Sequence, residues 1–559
     1  MKKISKVTAA CAMALATCIT AGSCGGRPSD VNVSVDESKT QLYIWNYNGG
    51  YGTGWLYEAK TRFEEMQKDV SYESGKKGVE LIVTGEKPGS AEKSANDIRN
   101  SKHEMYFTEG QDYYKLYLGD GNGDVIGDIT DAITTPNQFD GGKTIASKLT
   151  DQQQDYYTIG GKYYGIPHYQ GNLGFIYNID LFEQKDLFFR DGYETAETED
   201  AMFVGRGNTV KSVGPDGTAG TYDDGLPVTY DDFYVLLKQI QKKKVYPIVW
   251  TGKYREQYID LTFNAVAADV DGAAQHQLKY TMSGEATTLG TIQNGQFVKD
   301  AEPTVITGEN AYELARQEGT YWATQMFAHI FNDAGNYDSM YATNTSDENT
   351  AAQYRFIKGE AAILMEGVWW EGESEQANNF SNLSKKRSEC NFGIMPMPKP
   401  AGHEGERNTV VDTMDAVCFT KAGISEAKQK VANDFIKYVY SDEQLVQFTK
   451  VTNSLKAVNY TISEEDQKDL TTFGRNLYTY VKNSDVVYEY STNPLYYNNA
   501  SSLRGREYYK AKVAGLDSNG ALAPYAYLLD NGKNTVNDAN EYFSAIYATW
   551  KGAWKDLNK

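Results

Sequence analysis

Apolar runs of strand length alternate with amphipathic helical segments along this chain. Residues 42–45 and 79–83 are short apolar runs, and residues 55–66 between them carry apolar side chains at helical spacing. A strand, a helix and a second strand in this order form a parallel α/β unit, because parallel strands need a crossover connection. The order therefore predicts an α/β fold.

Further segments continue this alternation towards the C-terminus. We predict strands at residues 175–177, 361–365 and 392–398 and helices at residues 231–244, 426–440 and 538–557. A chain of 559 residues is long for one domain, which indicates two or more lobes.

The N-terminus has the pattern of an export signal. Lysines among the first six residues precede an apolar stretch at residues 7–20, which is too short to span a bilayer as a helix. The following Ala-Gly-Ser-Cys resembles a bacterial lipobox, in which the Cys is lipidated and becomes the new N-terminus. We therefore predict a signal peptide at residues 1–23, a lipid on Cys24 and a flexible tether at residues 24–40. An ordinary secretory signal with an incidental Cys is the alternative.

Composition narrows the possible partners. The net charge of −20 argues against nucleic acid and against direct adsorption to anionic lipid, because both repel an acidic protein. The 43 tyrosines supply flat apolar faces that also carry a hydroxyl, which suits polyhydroxylated ligands. CxxC, HExxH, P-loop and GxSxG motifs are absent from the sequence, and its five histidines are scattered. We therefore expect a binding protein that requires no cofactor rather than an enzyme.

Two cysteines, Cys390 and Cys418, lie in the predicted body of the protein, in strand-like segments. A disulfide between them is possible in an oxidising compartment. Two separately buried thiols are equally compatible with the sequence, because a free Cys packs as a small hydrophobic residue.

Four passages together carry a family resemblance. Residues 165–182 contain G-x-P and then Y-N-x-x-x-F, and residues 356–370 contain F-x-x-G-x-A-A and then G-x-W. Residues 392–398 read x-G-x-x-P-x-P, and residues 427–448 contain A-x-x-F-I-x-Y-x-x-S-x-E. In this order the passages resemble the extracellular solute-binding proteins of carbohydrate ABC importers, the maltose-binding-protein-like group.

The resemblance implies a two-lobed periplasmic-binding-protein type II fold with a hinge and a central ligand cleft. Lobe 1 would contain residues 41–163 and 409–458, and lobe 2 residues 164–408 and 459–559. The resemblance also implies a monomeric, lipid-anchored receptor on the extracytoplasmic face of the bacterial cell membrane. Such a receptor captures an oligosaccharide for the ABC permease subunits. This chain is longer than compact members of the group, with its excess at residues 188–226, 271–310 and after 459.

Sugar rings present an apolar face and a rim of hydroxyls, so a sugar site needs aromatic side chains together with polar groups. Such residues occur in loops after predicted strands, which line the crevice of an open α/β sheet, and near the G-x-W passage. The candidate ligand-binding residues are Tyr47, Asn48, Tyr51, Trp55, His168, Trp250, Tyr254, Tyr258, Glu366, Trp369, Trp370, Asp412 and Asp415. For His168, Trp55, Trp369 and Trp370, packing inside the lobes is the alternative interpretation.

Two acidic loops suggest structural calcium sites. Residues 120–131 space oxygen ligands two apart but lack the full EF-hand pattern. Residues 214–225 resemble loops of the form D-G-x-x-G-T-x-D-D-G, with Asp216, Asp223 and Asp224 as candidate ligands. Gly- and Asp-rich turns without a metal are the alternative interpretation.

Two other functions remain open at this stage. A surface glycoside hydrolase needs only two carboxylates, and the chain has 75 acidic residues. A protein that binds peptides or other solutes, or that senses a ligand for a signalling receptor, would also fit the Tyr-rich composition.

Overall fold

The computed structural model of the protein describes residues 34–86, 94–109, 113–118, 125–207, 210–343, 349–516 and 520–557. The predicted signal peptide and Cys24 lie outside these residues. The strands are β1 Thr40–Tyr47, β2 Val79–Glu86, β3 Met105–Phe107, β4 Thr158–Ile159, β5 Lys162–Tyr163, β6 Ile166–Pro167, β7 Leu173–Asn178, β8 Phe188–Phe189, β9 Phe203–Val204, β10 Tyr246–Val249, β11 Gly284–Ala286, β12 Gly290–Gln293, β13 Gln296–Lys299, β14 Thr304–Ile306, β15 Ala361–Gly367, β16 Phe392–Met395, β17 Thr409–Asp412, β18 Val417–Thr420 and β19 Asp485–Tyr488.

The α-helices range from single turns to 22 residues. They are α1 Gly54–Met66, α2 Ala95–Asn100, α3 Tyr113–Leu118, α4 Thr130–Thr134, α5 Asp151–Tyr157, α6 Ile179–Lys185, α7 Tyr230–Lys242, α8 Arg255–Asp271, α9 Ala273–His276, α10 Leu278–Thr281, α11 Glu318–Asn332, α12 Ser339–Thr343, α13 Asn349–Lys358, α14 Trp370–Gln376, α15 Asn379–Asn382, α16 Glu426–Val439, α17 Asp442–Thr452, α18 Glu464–Gln467, α19 Thr472–Lys482, α20 Pro494–Asn498, α21 Ala500–Leu503 and α22 Val536–Leu557. Short 3-10 turns and a π-helical turn at Ala526–Asp530 connect some of these elements.

The first of two main sheets has the strand order β2-β1-β3-β18-β6. Strand β1 is parallel to β2 and β3, whereas β18 runs antiparallel to β3 and β6. Helices α1 and α16 cover this sheet with apolar faces, and Phe63 of α1 contacts Phe435 of α16 at a ring distance of 5.1 Å. The parallel unit predicted from residues 42–83 is therefore confirmed.

The second main sheet has the order β10-β15-β7-β16. Strands β10 and β15 are parallel, and β7 is antiparallel to both β15 and β16. Every residue of β15 and β7 is buried, which is typical of a sheet covered on both faces. Helix α7 begins at a capping box of Thr229 and Asp232 and buries Phe233 and Leu236 against this sheet.

The chain passes between the two sheets at three adjacent segments, residues 168–172, 413–416 and 453–458. Backbone hydrogen bonds join them: the N–H of His168 donates to Ala416 O at 2.8 Å, and the N–H of Gln170 donates to Leu455 O at 3.0 Å. The N–H of Thr413 donates to Gly171 O at 2.9 Å. These crossings lie near the lobe limits at 163, 408 and 458, which stay predictions.

Each predicted strand and helix named above is present, with ends that differ by a few residues. The agreement has a simple cause, because the periodicity of apolar residues reports which face of an element is buried. None of the described helices combines the length and the apolar character that crossing a bilayer requires.

Helices α8 and α11 pack so closely that a glycine is required between them. A Cβ on Gly319 would lie 2.0 Å from Ala267 O and 2.6 Å from Asp271 Cγ, whereas a Cβ on Gly552 would meet nothing within 4 Å. We predict that Gly319→Ala lowers the free energy of unfolding by about 1–3 kcal/mol through overpacking. The control Gly552→Ala, in helix α22, should raise it by up to about 1 kcal/mol. Urea unfolding monitored by circular dichroism measures the free energy of unfolding of both variants. An equal change in the two variants would show that α8 and α11 can move apart without a cost in stability.

Candidate ligand-binding site

The loop after β1 contacts the helix that follows β15. A Cβ on Gly50 would lie 2.5 Å from the Cβ of Trp369, so only glycine fits at this approach. The side-chain amide of Gln376 in α14 donates to Gly50 O at 3.0 Å. Residues 47–53 of the first half thus contact residues 366–376 of the second half. We name the region between these two segments, which is closed in this structure, the cleft.

Carboxylates converge on tyrosines in the cleft. Tyr47 is half-buried, and burial together with the nearby Glu109 and Glu373 raises the pKa of its hydroxyl. Burial, reinforced by the charge of Glu373, raises the pKa of Glu366 well above its usual range. Burial, together with Glu366 and Glu373, also raises the pKa of the Tyr258 hydroxyl. A raised pKa favours the protonated carboxyl of Glu366 and the protonated hydroxyl of Tyr258, so this side of the cleft offers hydrogen-bond donors as well as acceptors.

Part of this acceptor capacity is used within the protein. The backbone N–H of Gly367 donates to Glu366 Oε1 at 3.0 Å, and the Gln353 amide donates to Glu373 Oε2 at 3.0 Å. Glu366 Oε2 is buried and lacks a partner of good hydrogen-bond geometry among the described residues, although the Tyr258 hydroxyl interacts with the same carboxyl. Asn48 Oδ1, on the opposite side of the cleft, is buried and has no hydrogen-bond partner among these residues.

Tyr169 and Gln170 of the first crossing segment lie next to Tyr51 of the cleft. The ring of Tyr51 lies 4.1 Å from that of Tyr169, and the Tyr51 hydroxyl donates to Gln170 O at 3.3 Å. The Tyr169 hydroxyl and the Gln170 side-chain amide nitrogen are buried without a partner among the residues that the structure describes. A buried polar group that lacks a partner is costly, so these atoms favour a polar ligand or water at this place.

Asp412 and Asp415 lie at the second crossing. Asp412 accepts from the Gly171 N–H at 3.1 Å, and burial raises its pKa to about 7. Asp415 forms an ion pair with Arg504 at 3.2 Å. Asp412 therefore contacts the first crossing segment, whereas Asp415 holds the C-terminal segment against the crossing.

His168 and Trp55 belong to the packed interior behind the cleft. Lys456 Nζ lies 2.6 Å from His168 Nδ1 and 4.6 Å from the Trp55 ring centre, and all three side chains are buried. Burial lowers the pKa of Lys456 to about 7 and, with the charge of Lys456, that of His168 well below its ordinary value. Packing inside the fold, the alternative interpretation of both residues, agrees with these contacts.

Two predicted tryptophans are packed in apolar cores instead of facing the cleft. Trp370 is fully buried, with its ring 5.0 Å from Phe392 and 5.6 Å from Phe473. Trp250 is fully buried against Phe331 and Tyr337. Trp369 is also buried, with 6% of its surface exposed, but it contacts Gly50 on the other side of the cleft, whereas Trp370 begins helix α14 and points into the core.

The structure brings together Tyr47, Asn48, Tyr51, Tyr258, Glu366 and Trp369, with the exposed Tyr254 close to Tyr47. Sequence reasoning missed Glu109, Gln170, Glu373 and Gln376. Glu109 follows β3 and Glu373 lies just after the G-x-W passage, so the position of each behind a strand was a usable signal.

In the acidic loop at residues 214–225, backbone N–H groups of the loop itself donate hydrogen bonds to the carboxylates. Asp223 Oδ2 accepts from the Asp216 N–H at 3.0 Å, and Asp224 Oδ2 accepts from the Gly220 N–H at 2.8 Å. The described residues hold no group of three or more acidic, His or Cys side chains arranged to bind a metal ion. Calcium binding by Asp216, Asp223 and Asp224 stays a prediction, and the loop at 120–131 lies partly outside the described residues.

Both cysteines of the body are free and buried. Cys418 lies in β18 and Cys390 precedes β16, in different main sheets. The structure thus has the two separate thiols, not the disulfide.

Comparison with known proteins places the chain among binding proteins. A family model described as bacterial extracellular solute-binding protein matches residues 71–472, more than half of the chain. A solved chitin oligosaccharide binding protein is 14% identical, with a TM-score of 0.51 over 90% of this chain and 95% of its own. No curated protein sequence matches the chain.

Other solved structures agree with this result. RafE in complex with raffinose is 14% identical, with a TM-score of 0.50 over 91% of this chain and 100% of its own. A structure described with xylan utilization by Caldanaerobius polysaccharolyticus is 14% identical, with a TM-score of 0.52 over 91% of this chain and 99% of its own. The chain therefore has the two-lobed periplasmic-binding-protein fold.

The buried carboxyl of Asp412 predicts a pH-dependent stability. Because its pKa is about 7 in the folded protein and 3.8 for a free side chain, its ionisation opposes folding increasingly as the pH rises between these values. We predict that Asp412→Asn stabilises the protein relative to the parent by an amount that grows from pH 4 to pH 7, to roughly 4 kcal/mol at most. Urea unfolding at several pH values measures the difference. The control Glu465→Gln, 83% exposed, should show no such trend, and a flat difference for Asp412→Asn would disprove the expectation.

Proposed function

We propose that this chain, which belongs to the bacterial extracellular solute-binding family, captures an oligosaccharide in the cleft and delivers it to an ABC permease. The observation that carries the proposal is the composition of the cleft. Aromatic residues and carboxylates from both sheets meet there, with buried polar atoms that have no partner in the described part of the chain.

This composition matches the chemistry of a sugar. The rings of Tyr47 and Tyr254, and that of Trp369 when the cleft opens, offer apolar surfaces for the C–H faces of a pyranose. The carboxyl groups of Glu366 and Glu373 offer oxygen atoms for hydrogen bonds with its hydroxyls. We infer that the ligand supplies the hydrogen bond that Asn48 Oδ1 lacks.

Capture follows from the position of these groups on two sides of the cleft. A ligand that contacts both sides binds the closed arrangement more tightly than the open one, so it shifts the population towards the closed state. The three crossing segments form the hinge of this movement, because rotation there needs few backbone changes.

Structural relatives support a sugar as the ligand. One is described as binding chitin oligosaccharide and another is in complex with raffinose. These proteins are binding proteins, so we propose that the chain is not an enzyme and that Glu366 and Glu373 act only as ligand-binding groups. The sequence identities of 14% leave the particular sugar to experiment.

The first test is calorimetric titration of the protein from Val31 onward with neutral oligosaccharides, including chitin oligosaccharides, raffinose and xylo-oligosaccharides. We expect saturable binding with the sugar recovered intact. Trp369→Ala and Tyr254→Ala should weaken binding at least tenfold. The matched control Tyr246→Ala should not, because Tyr246 begins strand β10 while Tyr254 follows its other end, and both are exposed. Shortened sugar would indicate a hydrolase, and an absence of heat across the panel would contradict a sugar ligand.

We also propose that the protein is held at the extracytoplasmic face of the cell membrane by a lipid on Cys24. The expected result for Cys24→Ser, expressed in a bacterium, is release of the protein from the membrane fraction into soluble extracytoplasmic material. Membrane fractionation with labelled palmitate measures this. Unchanged membrane association of Cys24→Ser would point to a different attachment.

A further inference from the structure

A second cavity opens on the outer side of the second sheet, away from the cleft. It has a volume of about 630 Å³, within the range of small-molecule pockets. Helices α7 and α11, the loop after β16, residues 534–535 and the first residue of α22 enclose it. None of the residues of the cleft lines it.

Aromatic faces form two walls of this outer cavity. The Tyr234 ring stacks on the His329 imidazole, with a centre distance of 3.5 Å and an angle of 13° between the planes. Trp322 is half-buried and stands nearly perpendicular to Tyr230, at 79° and 6.0 Å. The cavity therefore offers flat apolar surfaces of the size of a sugar ring.

Carboxylate and amide groups form the rim. Asp231 and Glu404 are exposed, and Asn332 lies beside them on α11. The Asn534 amide nitrogen donates to Phe331 O at 2.9 Å, which orients the side chain and leaves its oxygen as an acceptor. At the floor, the Tyr230 hydroxyl is buried and has no partner among the described residues.

The charges of the lining select the class of ligand. Of the described residues that line the cavity, none is Lys or Arg, so a phosphate or carboxylate ligand would meet Asp231 and Glu404 without a compensating cation. Amides that both donate and accept suit hydroxyl groups, which also donate and accept. A quaternary ammonium ligand would use the aromatic rings and carboxylates but would leave the amides without partners.

We propose that this outer cavity binds a neutral saccharide unit independently of the cleft. Its open, water-exposed shape implies weak binding compared with the cleft, because less ligand surface is buried. A second weak site on the same molecule raises the local concentration of oligosaccharide near the receptor. The inference does not depend on the cleft being a sugar site.

Saturation-transfer NMR on a cleft variant tests the proposal. The protein carries Trp369→Ala, and the probes are the methyl glycosides of glucose, galactose, xylose and N-acetylglucosamine, with tetramethylammonium and methyl glucuronide as charged probes. We expect saturable transfer from at least one neutral glycoside. Adding Trp322→Ala or Tyr234→Ala should weaken that binding at least tenfold, and adding the control Tyr246→Ala should leave it unchanged.

Because Trp322 packs against Tyr230, its loss could disturb the fold, so a second set of variants uses the rim. Asn332→Ala and Glu404→Gln alter exposed side chains and should weaken binding severalfold while leaving the melting temperature unchanged. Binding that persists in all four outer-cavity variants, or that is absent from the Trp369→Ala protein, would overturn the proposal. A signal from tetramethylammonium without one from any glycoside would also overturn it, in favour of a cation site. Calorimetric binding to the parent cleft reports on the proposed function separately.

Discussion

The hydrogen bonds among the three crossing segments set the relation between the two halves of this protein. The backbone of His168, Gln170 and Gly171 bonds to Ala416, Leu455 and Thr413, and the Tyr440 hydroxyl donates to Pro167 O at 2.8 Å. These bonds hold the ends of β6, β7, β17 and β18 side by side. The loop after β1 can therefore meet the helix after β15, and the position of every group in the cleft depends on these few residues.

A buried lysine, Lys456, lies directly behind the crossing segments. Lys456 is surrounded by the rings of Trp55, Tyr440 and Phe448 at 4.6–4.9 Å and has His168 as its nearest polar neighbour. Burial favours the neutral amine, while the aromatic faces favour the ammonium, so the two effects oppose each other. An apolar side chain at this position would avoid this conflict.

Much of the fold could be predicted from the sequence, because each core element has a periodic apolar face. Residues 42–45, 361–365 and 426–440 became a strand, a strand and a helix as expected. The residues of the cleft were harder to predict, because the cleft depends on contacts between residues that are far apart in the sequence. Trp369 and Trp370 are neighbours of the same type and both are buried, yet only Trp369 contacts Gly50 across the cleft, while Trp370 packs against Phe392 and Phe473.

The same limit explains the residues that were missed. Glu109 and Glu373 are separated by 264 positions, and each alone resembles an ordinary surface glutamate. Their importance appears only when both are seen to act on Tyr47 across the cleft. Carboxyl groups on both sides of the cleft can hydrogen-bond with a polyhydroxylated ligand that lies between them. Such a ligand contacts both sides only in the closed state, so it favours that state, which is the difference in free energy that a capture protein needs.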